Sequence, residues 1–323
     1  VAFTSGDNIG AAPPISTEFE ELPTIETLNA MKLDAGAFGN HEHDRNLAHL
    51  QKIIGASDFQ WVVSNYNEGS LSVLKSGTKQ TKTFTIIERG GVKIGVVGAN
   101  TPETIEQVFP GNLDYTDASG AKQTITINPG VTGINQAIVD AKAAGADIVI
   151  ALLHQGWQEN ADGVAKGVLN TMAAQVKGAA AIYGGHSHQT FASVIPGSPR
   201  VAPVVIGQTR NAGVEYTRTQ ICMRGGKVIG QSIEHVLKAA LATMTTGVVS
   251  TVTTQDVAAA AMVKKYKDQL SAKLDVKIGK VSGVFPRGGS PAVERSGETP
   301  MGNYIADLMR AKYKTDFAIQ NGG

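Results

Sequence analysis

The chain lacks most of the features that classify a protein at a glance. It has one cysteine, Cys222, in 323 residues. That excludes an internal disulfide and any metal cluster built from cysteines. Within TQICMRGG it stands between apolar residues and is expected as a buried strand residue. An excess of one charge is missing too. The 29 basic and 28 acidic residues leave a net charge of +1, which offers no footprint for a nucleic acid polymer or an acidic membrane. No apolar run approaches the roughly 18 residues of a membrane-spanning helix, and no charged-then-apolar signal segment opens the chain. Internal repeats and low-complexity tracts are absent. Scarcity of cysteine does not fix the compartment, so partners must be argued from sites.

What is present is an alternation of short apolar runs with longer amphipathic stretches, the pattern of strands buried between layers of helix. Strands are expected over 1–4, 35–38, 61–64, 84–88, 93–97, 148–153, 180–183 and 204–207. Helices are expected over 18–31, 44–54, 131–144 and 165–177. This is an α/β pattern. ERGGVKIGVVG reads as a hairpin turning at Gly90 and Gly91, which mixes antiparallel pairing into the sheet. From about Ile233 the texture changes to a long Ala, Lys and Thr stretch. Its second half, 257–274, is expected as a solvent-facing linker helix capped by Asp256. Strand and turn signals restart near 275, and a final helix follows with Ile305, Leu308 and Met309 on one face. The expected organisation is a domain over 1–235, a linker over 236–274, and part of a second domain over 275–323. The chain opens on Val1 inside an apolar run and stops in DFAIQNGG, so both ends are expected to be cut.

Four segments share a grammar in which an apolar strand runs into a glycine turn carrying ligand-type side chains: VAFTSGDN, AGAFGNHEHD, IVIALLHQGW and AAAIYGGHSHQ. Turns past the carboxyl ends of neighbouring strands can converge on one crevice. The donors they supply are Asp7, Asn40, His41, His154, His186 and His188, with Asp44 nearby. Oxygen and imidazole donors without thiolate suit Zn, Mn, Fe, Co or Ni better than Ca or Mg. Two such ions about 3.5–4 Å apart form a clamp for displacement at phosphorus. Each segment alone has an ordinary reading, as a turn, a helix cap or a core histidine. Together they place five of the seven histidines at three strand ends, which turns and caps do not explain.

GDN, GNHEHD, LLHQG and GGHSH, in this order, resemble the later blocks of the calcineurin-like metallophosphoesterases. RSGETPMGNYIADLMR and DFAIQNGG resemble the C-terminal domain of the 5′-nucleotidase family, which includes UDP-sugar hydrolases and 2′,3′-cyclic nucleotide phosphodiesterases. The resemblance implies a four-layer α/β/β/α sandwich with mixed sheets, followed by the start of a smaller α/β substrate domain. It implies two divalent ions of Zn, Mn, Co or Fe type. Asp7 would bridge them, Asn40, His154 and His186 would complete one site, and His188 would belong to the other. The remaining ligands of that other site lie in an Asp-x-His block that this sequence does not contain.

His41 and Asp44 match the family's catalytic dyad, in which the histidine stabilises charge on the transferred phosphoryl group and the acid orients it. A helix starting near His41 would set the two residues on one face. His43 departs from the usual apolar residue and is expected at the surface or in packing. Arg295, Asn321 and Gly322 match substrate contacts. The implied activity is hydrolysis of a nucleoside 5′-monophosphate by a metal-bridged hydroxide, in an exported enzyme whose partner is a small nucleotide. Alternatives are a cyclic-nucleotide phosphodiesterase or UDP-sugar hydrolase, and a metal-poor binding module without turnover.

Overall fold

The structure is a computed structural model that describes residues 1–156, 167–195, 203–237, 256–277, 279–286 and 297–320. Its backbone divides into two compact units, Val1–Ser271 and Ala272–Gly323.

The larger unit is organised by strands buried on both faces. Strands β1 (Phe3–Thr4), β2 (Ala35–Ala37) and β3 (Gln60–Val62) form a small parallel sheet in that order. A second sheet contains β4 (Phe84–Arg89), β5 (Val92–Ala99), β6 (Ile148–Leu153), β7 (Ala181–Tyr183), β8 (Phe191–Ile195) and β9 (Val204–Gln208). Its strand order is β8-β9-β7-β6-β5-β4, parallel in the centre and antiparallel at both edges. The β4–β5 edge is the hairpin expected at Gly90 and Gly91, both in the left-handed region.

Period-two alternation distributes β6 between two cores. Ile148, Ile150 and Leu152 face Ala35, Ala37 and Val62 of the small sheet, so the two sheets pack on each other. Val149, Ala151 and Leu153 face the other way. They meet Ile134, Ile138 and Ala141 of α3 (Gly130–Ala143) and Leu169 and Met172 of α4 (Val168–Ala173). On the outer side of the small sheet, Phe38, Trp61 and Val63 pack against Ile25 of α1 (Leu22–Ala30) and Leu50, Ile53 and Ile54 of α2 (Leu47–Ala56). The result is the expected four-layer α/β/β/α sandwich, in which the six-stranded sheet is mixed and the small sheet, against expectation, is wholly parallel.

Several local expectations are corrected. The helix expected from residue 18 begins at Leu22, because Pro23 is tolerated only in a first turn and Glu20 and Glu21 take left-handed backbone before it. The helix expected from residue 44 begins at Leu47 behind the N-cap Asn46, whose side chain accepts from His49 N. Of the helix expected over 165–177, 165 and 166 lie outside the described residues. Cys222 is in a strand, β10 (Glu215–Arg224), but is exposed. β10 pairs with β11 (Lys227–Leu237) and turns Ile221 and Met223 to the core, which sends Cys222 to the opposite face.

The helix over 257–274, α5 (Val257–Leu274), has the expected cap, Asp256 Oδ1 accepting from Ala259 N. It is not wholly solvent-facing. Tyr266 is buried, with its ring 5.0 Å from that of Phe19 and its hydroxyl donating to Glu26.

In the smaller unit, α6 (Pro300–Tyr313) starts behind Thr299, whose hydroxyl accepts from Gly302 N. Ile305 and Met309 are half-buried, whereas Leu308 is exposed. Residues 279–286 and 316–320 carry strand-like sequence but form no strand among the described residues, where no neighbouring strand pairs with them. No helix in the described residues is long and apolar enough to cross a membrane.

His43 belongs to the core, the packing half of its expectation. It is buried beside Phe38, and its Nε2 lies 2.6 Å from Tyr66 Oη, which also accepts from Asn100 Nδ2 at 2.8 Å. The tyrosine hydroxyl therefore donates to a neutral imidazole. Burial pushes His43 down to about 4, only partly offset by the Asp44 charge. A depressed folded pKa makes this contribution complete above the unfolded value and lost as pH falls from about 6.5 towards about 4. Urea unfolding should show a loss on the order of 3 kcal/mol across that window, and His43→Gln should remove this part of the pH dependence.

Candidate metal centre

Four strands of the two sheets deliver their carboxyl-terminal turns to one place. β1 runs into Ser5, Gly6 and Asp7, β2 into Gly39, Asn40 and His41, β6 into His154, and β7 into Gly184–His188. Two glycines let the first two turns interlock. A β-carbon on Gly39 would collide with Asp7 Oδ1 and the His154 ring, and one on Gly6 would collide with the backbone at Phe38 and Gly39. Three of the ligand-type residues are strained. Asp7 (φ 56°), His186 (φ 71°) and His188 (φ 57°) all occupy the left-handed region that residues with a β-carbon avoid.

The side chains converge. His154, 1% exposed, sets Nε2 3.0 Å from Asp7 Oδ2 and 3.2 Å from Asn40 Oδ1. Asn40 Oδ1 in turn lies 3.1 Å from His186 Nδ1. His154 Nδ1 is 2.8 Å from the Ser5 carbonyl, so it carries the proton that this bond needs. In the neutral form that a metal ligand takes, the His154 ring turns a lone pair towards two oxygens that carry only lone pairs. This donor set fits a divalent cation, and the Ser5 carbonyl fixes the tautomer that a ligand requires. Asp7, His154 and His186 offer ligand atoms that all lie within 4.8 Å of one another.

The electrostatics follow from this crowding. Burial pushes the Asp7 carboxyl up, but the His154 and His41 contacts overcome it and hold it below its ordinary value. Burial pushes His154 down, yet Asp7 beside it brings it above the ordinary value. His186 is lowered by burial and by the neighbouring His154.

His41 and Asp44 are brought together. Residues His41–His43 make a single 3₁₀ turn, and His41 Nδ1 lies 2.7 Å from Asp44 Oδ2. That hydrogen bond, against partial burial and with help from the Asp7 charge, raises His41 to about 9. His41 N donates to Asp7 Oδ1 at 2.9 Å, which ties the dyad to the centre. His188 is exposed two residues beyond His186 and outside the converging group. Arg295, Asn321 and Gly322 lie outside the described residues.

Two acids were not singled out by sequence. Glu42 is 1% exposed and accepts from backbone N–H groups of both interlocked turns. The available signal was its spacing, since an acid at a helix start can reach back to an N–H three residues earlier. Glu103 Oε2 lies 3.6 Å from His186 Nε2, on the side of the ring away from Asn40. No local pattern marks it, because the contact joins distant loops.

A sequence profile of the family described as bacterial capsule synthesis protein PGA_cap matches residues 73–194. The chain is 26% identical over 335 residues to the endonuclease YhcR of Bacillus subtilis, covering 99% of this chain and 25% of that protein. It is 24% identical over 355 residues to a 5′-nucleotidase of Vibrio parahaemolyticus, covering 100% of this chain and 59% of that protein. Among solved structures, a 5′-nucleotidase precursor from Thermus thermophilus superposes with a TM-score of 0.73 at 19% identity, over 97% of this chain and 57% of that one. The fold is therefore the one seen in the structures of a 5′-nucleotidase precursor and a calcineurin-like phosphoesterase. The chain is similar along its whole length to members of the 5′-nucleotidase family, as the sequence motifs implied. It spans only 25% and 59% of the two curated relatives described.

The interlock has a measurable consequence. Gly39→Ala should leave a folded protein whose affinity for Zn²⁺ or Mn²⁺, measured by calorimetric titration, is weaker by about 10–100-fold, the scale of losses when the support of a metal ligand is disturbed. Undiminished affinity would show that the turns need not approach so closely.

Proposed function

We propose that the chain hydrolyses phosphate esters of nucleotides at a divalent-metal centre, with a nucleoside 5′-monophosphate as its first substrate class. The observation that carries this reading is the convergence of Asp7 Oδ2, Asn40 Oδ1 and His154 Nε2 beside a histidine whose Nδ1 is held by Asp44. Asp7, Asn40, His154 and His186 would hold one ion, and Asp7 with His188 would contribute to a second, of Zn, Mn, Co or Fe type. Bound there, such ions supply Lewis acidity towards the phosphate.

The chain's own contribution is positional. Asp44 fixes the His41 ring so that Nε2–H points away from the carboxylate, free to donate to a phosphoryl oxygen or to the departing ester oxygen. Residues 275–323 form the start of a substrate domain, with Arg295, Asn321 and Gly322 as nucleotide contacts. Members of the resembled family usually act outside the cytoplasm, and an exported enzyme is the corresponding reading here.

A second reading, hydrolysis of phosphodiesters, draws on the similarity of this chain to a quarter of a protein named an endonuclease. The four turns specify phosphorus chemistry and leave the alcohol unspecified. Rates on AMP, 2′,3′-cyclic AMP and UDP-glucose separate the readings. Two bound metals with turnover support an enzyme, and at most one metal without turnover supports a binding module.

His41→Ala should lower turnover on the preferred substrate by about 10²–10⁴-fold while metal stoichiometry, read by elemental analysis, stays at the wild-type value. Loss of metal together with activity would make His41 a ligand and defeat its assigned role.

A further inference from the structure

We infer that Glu42 is a positioning residue that sets the metal affinity of the centre by holding Asp7 in its strained backbone conformation. The inference rests on the metal-centre reading above.

The carboxylate of Glu42 is almost completely buried and faces no cationic side chain in its hydrogen bonds. Its Oε2 accepts from Asp7 N at 2.9 Å and Gly39 N at 2.5 Å, and its Oε1 accepts from Asn8 N at 2.7 Å and Asn8 Nδ2 at 3.2 Å. Four donors from two chain turns therefore converge on one side chain. Two of them are the successive N–H groups of Asp7 and Asn8. Asp7 has φ 56°, a conformation that its β-carbon disfavours and that needs outside support to persist. Glu42 supplies that support from the neighbouring turn.

The consequence passes to the ligand atoms. With its backbone held, Asp7 turns Oδ1 to His41 N and leaves Oδ2 beside His154 Nε2. Glu42 thus fixes Asp7 from the His41 turn, and Asp7 fixes His41 in return. A carboxylate is required, because all four partners are donors. A glutamine of the same shape would turn an NH₂ group towards N–H groups and lose half of the clamp. The clamp sits at the mouth of the sandwich and takes no part in the apolar packing between the sheets, so its loss should fall on the centre before the fold.

The test compares metal-free wild type, Glu42→Gln and Asn8→Ala in calorimetric titrations with Mn²⁺ and Zn²⁺, with thermal unfolding of each protein recorded without metal. Asn8→Ala removes one of the four donors and leaves the carboxylate in place. Glu42→Gln is expected to unfold cooperatively and bind metal about 10–100-fold more weakly. Asn8→Ala is expected to weaken binding about two- to tenfold, which keeps the inference testable should Glu42→Gln fail to fold. Wild-type affinity in either folded variant overturns the inference alone. Wild-type protein that takes up no metal overturns the proposed function and this inference with it.

Discussion

The structure depends on the close approach of two turns, one after β1 and one after β2. Their backbones meet where Gly6 and Gly39 have no β-carbons to hold them apart. Among the described residues, the converging side chains of the centre are referenced to that contact. It sets Asp7 against the N–H of His41, brings His154 against both turns, and places Asn40 between two imidazoles. The contact exists because β1 and β2 are adjacent parallel strands whose register aligns Phe3 with Ala35 and Thr4 with Gly36, so their turns leave the sheet side by side. The six-stranded sheet packs face to face on this one and delivers β6 and β7 to the same end. A site assembled from four turns is thus a consequence of two sheets sharing a core.

Charge explains why such a contact needs support. The group holds the carboxylates of Asp7 and Glu42 and two imidazoles within a largely buried volume. Burial and the Asp7 charge push Glu42 up to about 7, so the two carboxylates compete electrostatically. The competition is tolerable because donors surround both acids, three of them backbone N–H groups on Glu42 and one on Asp7. His43 shows the contrasting solution. One residue further along the same turn, it is enclosed by Phe38 and Tyr66 and stays neutral.

Much of this was legible in the residues. The run IVIALL announces a strand buried on both faces, and its end announces His154, because long apolar runs between turn signals have few other uses. The pair His41 and Asp44 was legible from the family resemblance, and a separation of three residues fits one helical turn. Local pattern failed where tertiary partners decide. The start of α1 was set by Pro23 and two left-handed glutamates. Cys222 has apolar neighbours on both sides, yet the hairpin's pleat turns them inward and the cysteine outward. Tyr266 looked like one more residue of a solvated helix until Phe19 and Glu26, some 240 positions away, covered it. Glu42 was visible in the hexapeptide but looked like an ordinary early-turn acid, because nothing in its neighbours reveals that Asp7 and Asn8 will come to meet it.

The left-handed backbone at Asp7, His186 and His188 runs against the propensity of residues that carry a β-carbon. Glycine would occupy those φ values at no steric cost, and the sequence supplies glycine directly beside them, at Gly6 and Gly185. A glycine at position 7 or 186 would relax the turn but bring no oxygen or nitrogen to the centre. Aspartate and histidine there accept a local strain of about 1–2 kcal/mol each in exchange for a donor atom at the crossing point. Such a trade persists only if surrounding contacts fix the strained residue. For Asp7 those contacts are Glu42 on its N–H and His41 on its carboxylate. For His186 they are Asn40 on one ring nitrogen and Glu103 near the other. The strained residues and the acids around them are therefore one arrangement: neither the backbone at Asp7 nor the burial of Glu42 has a sufficient cause without the other.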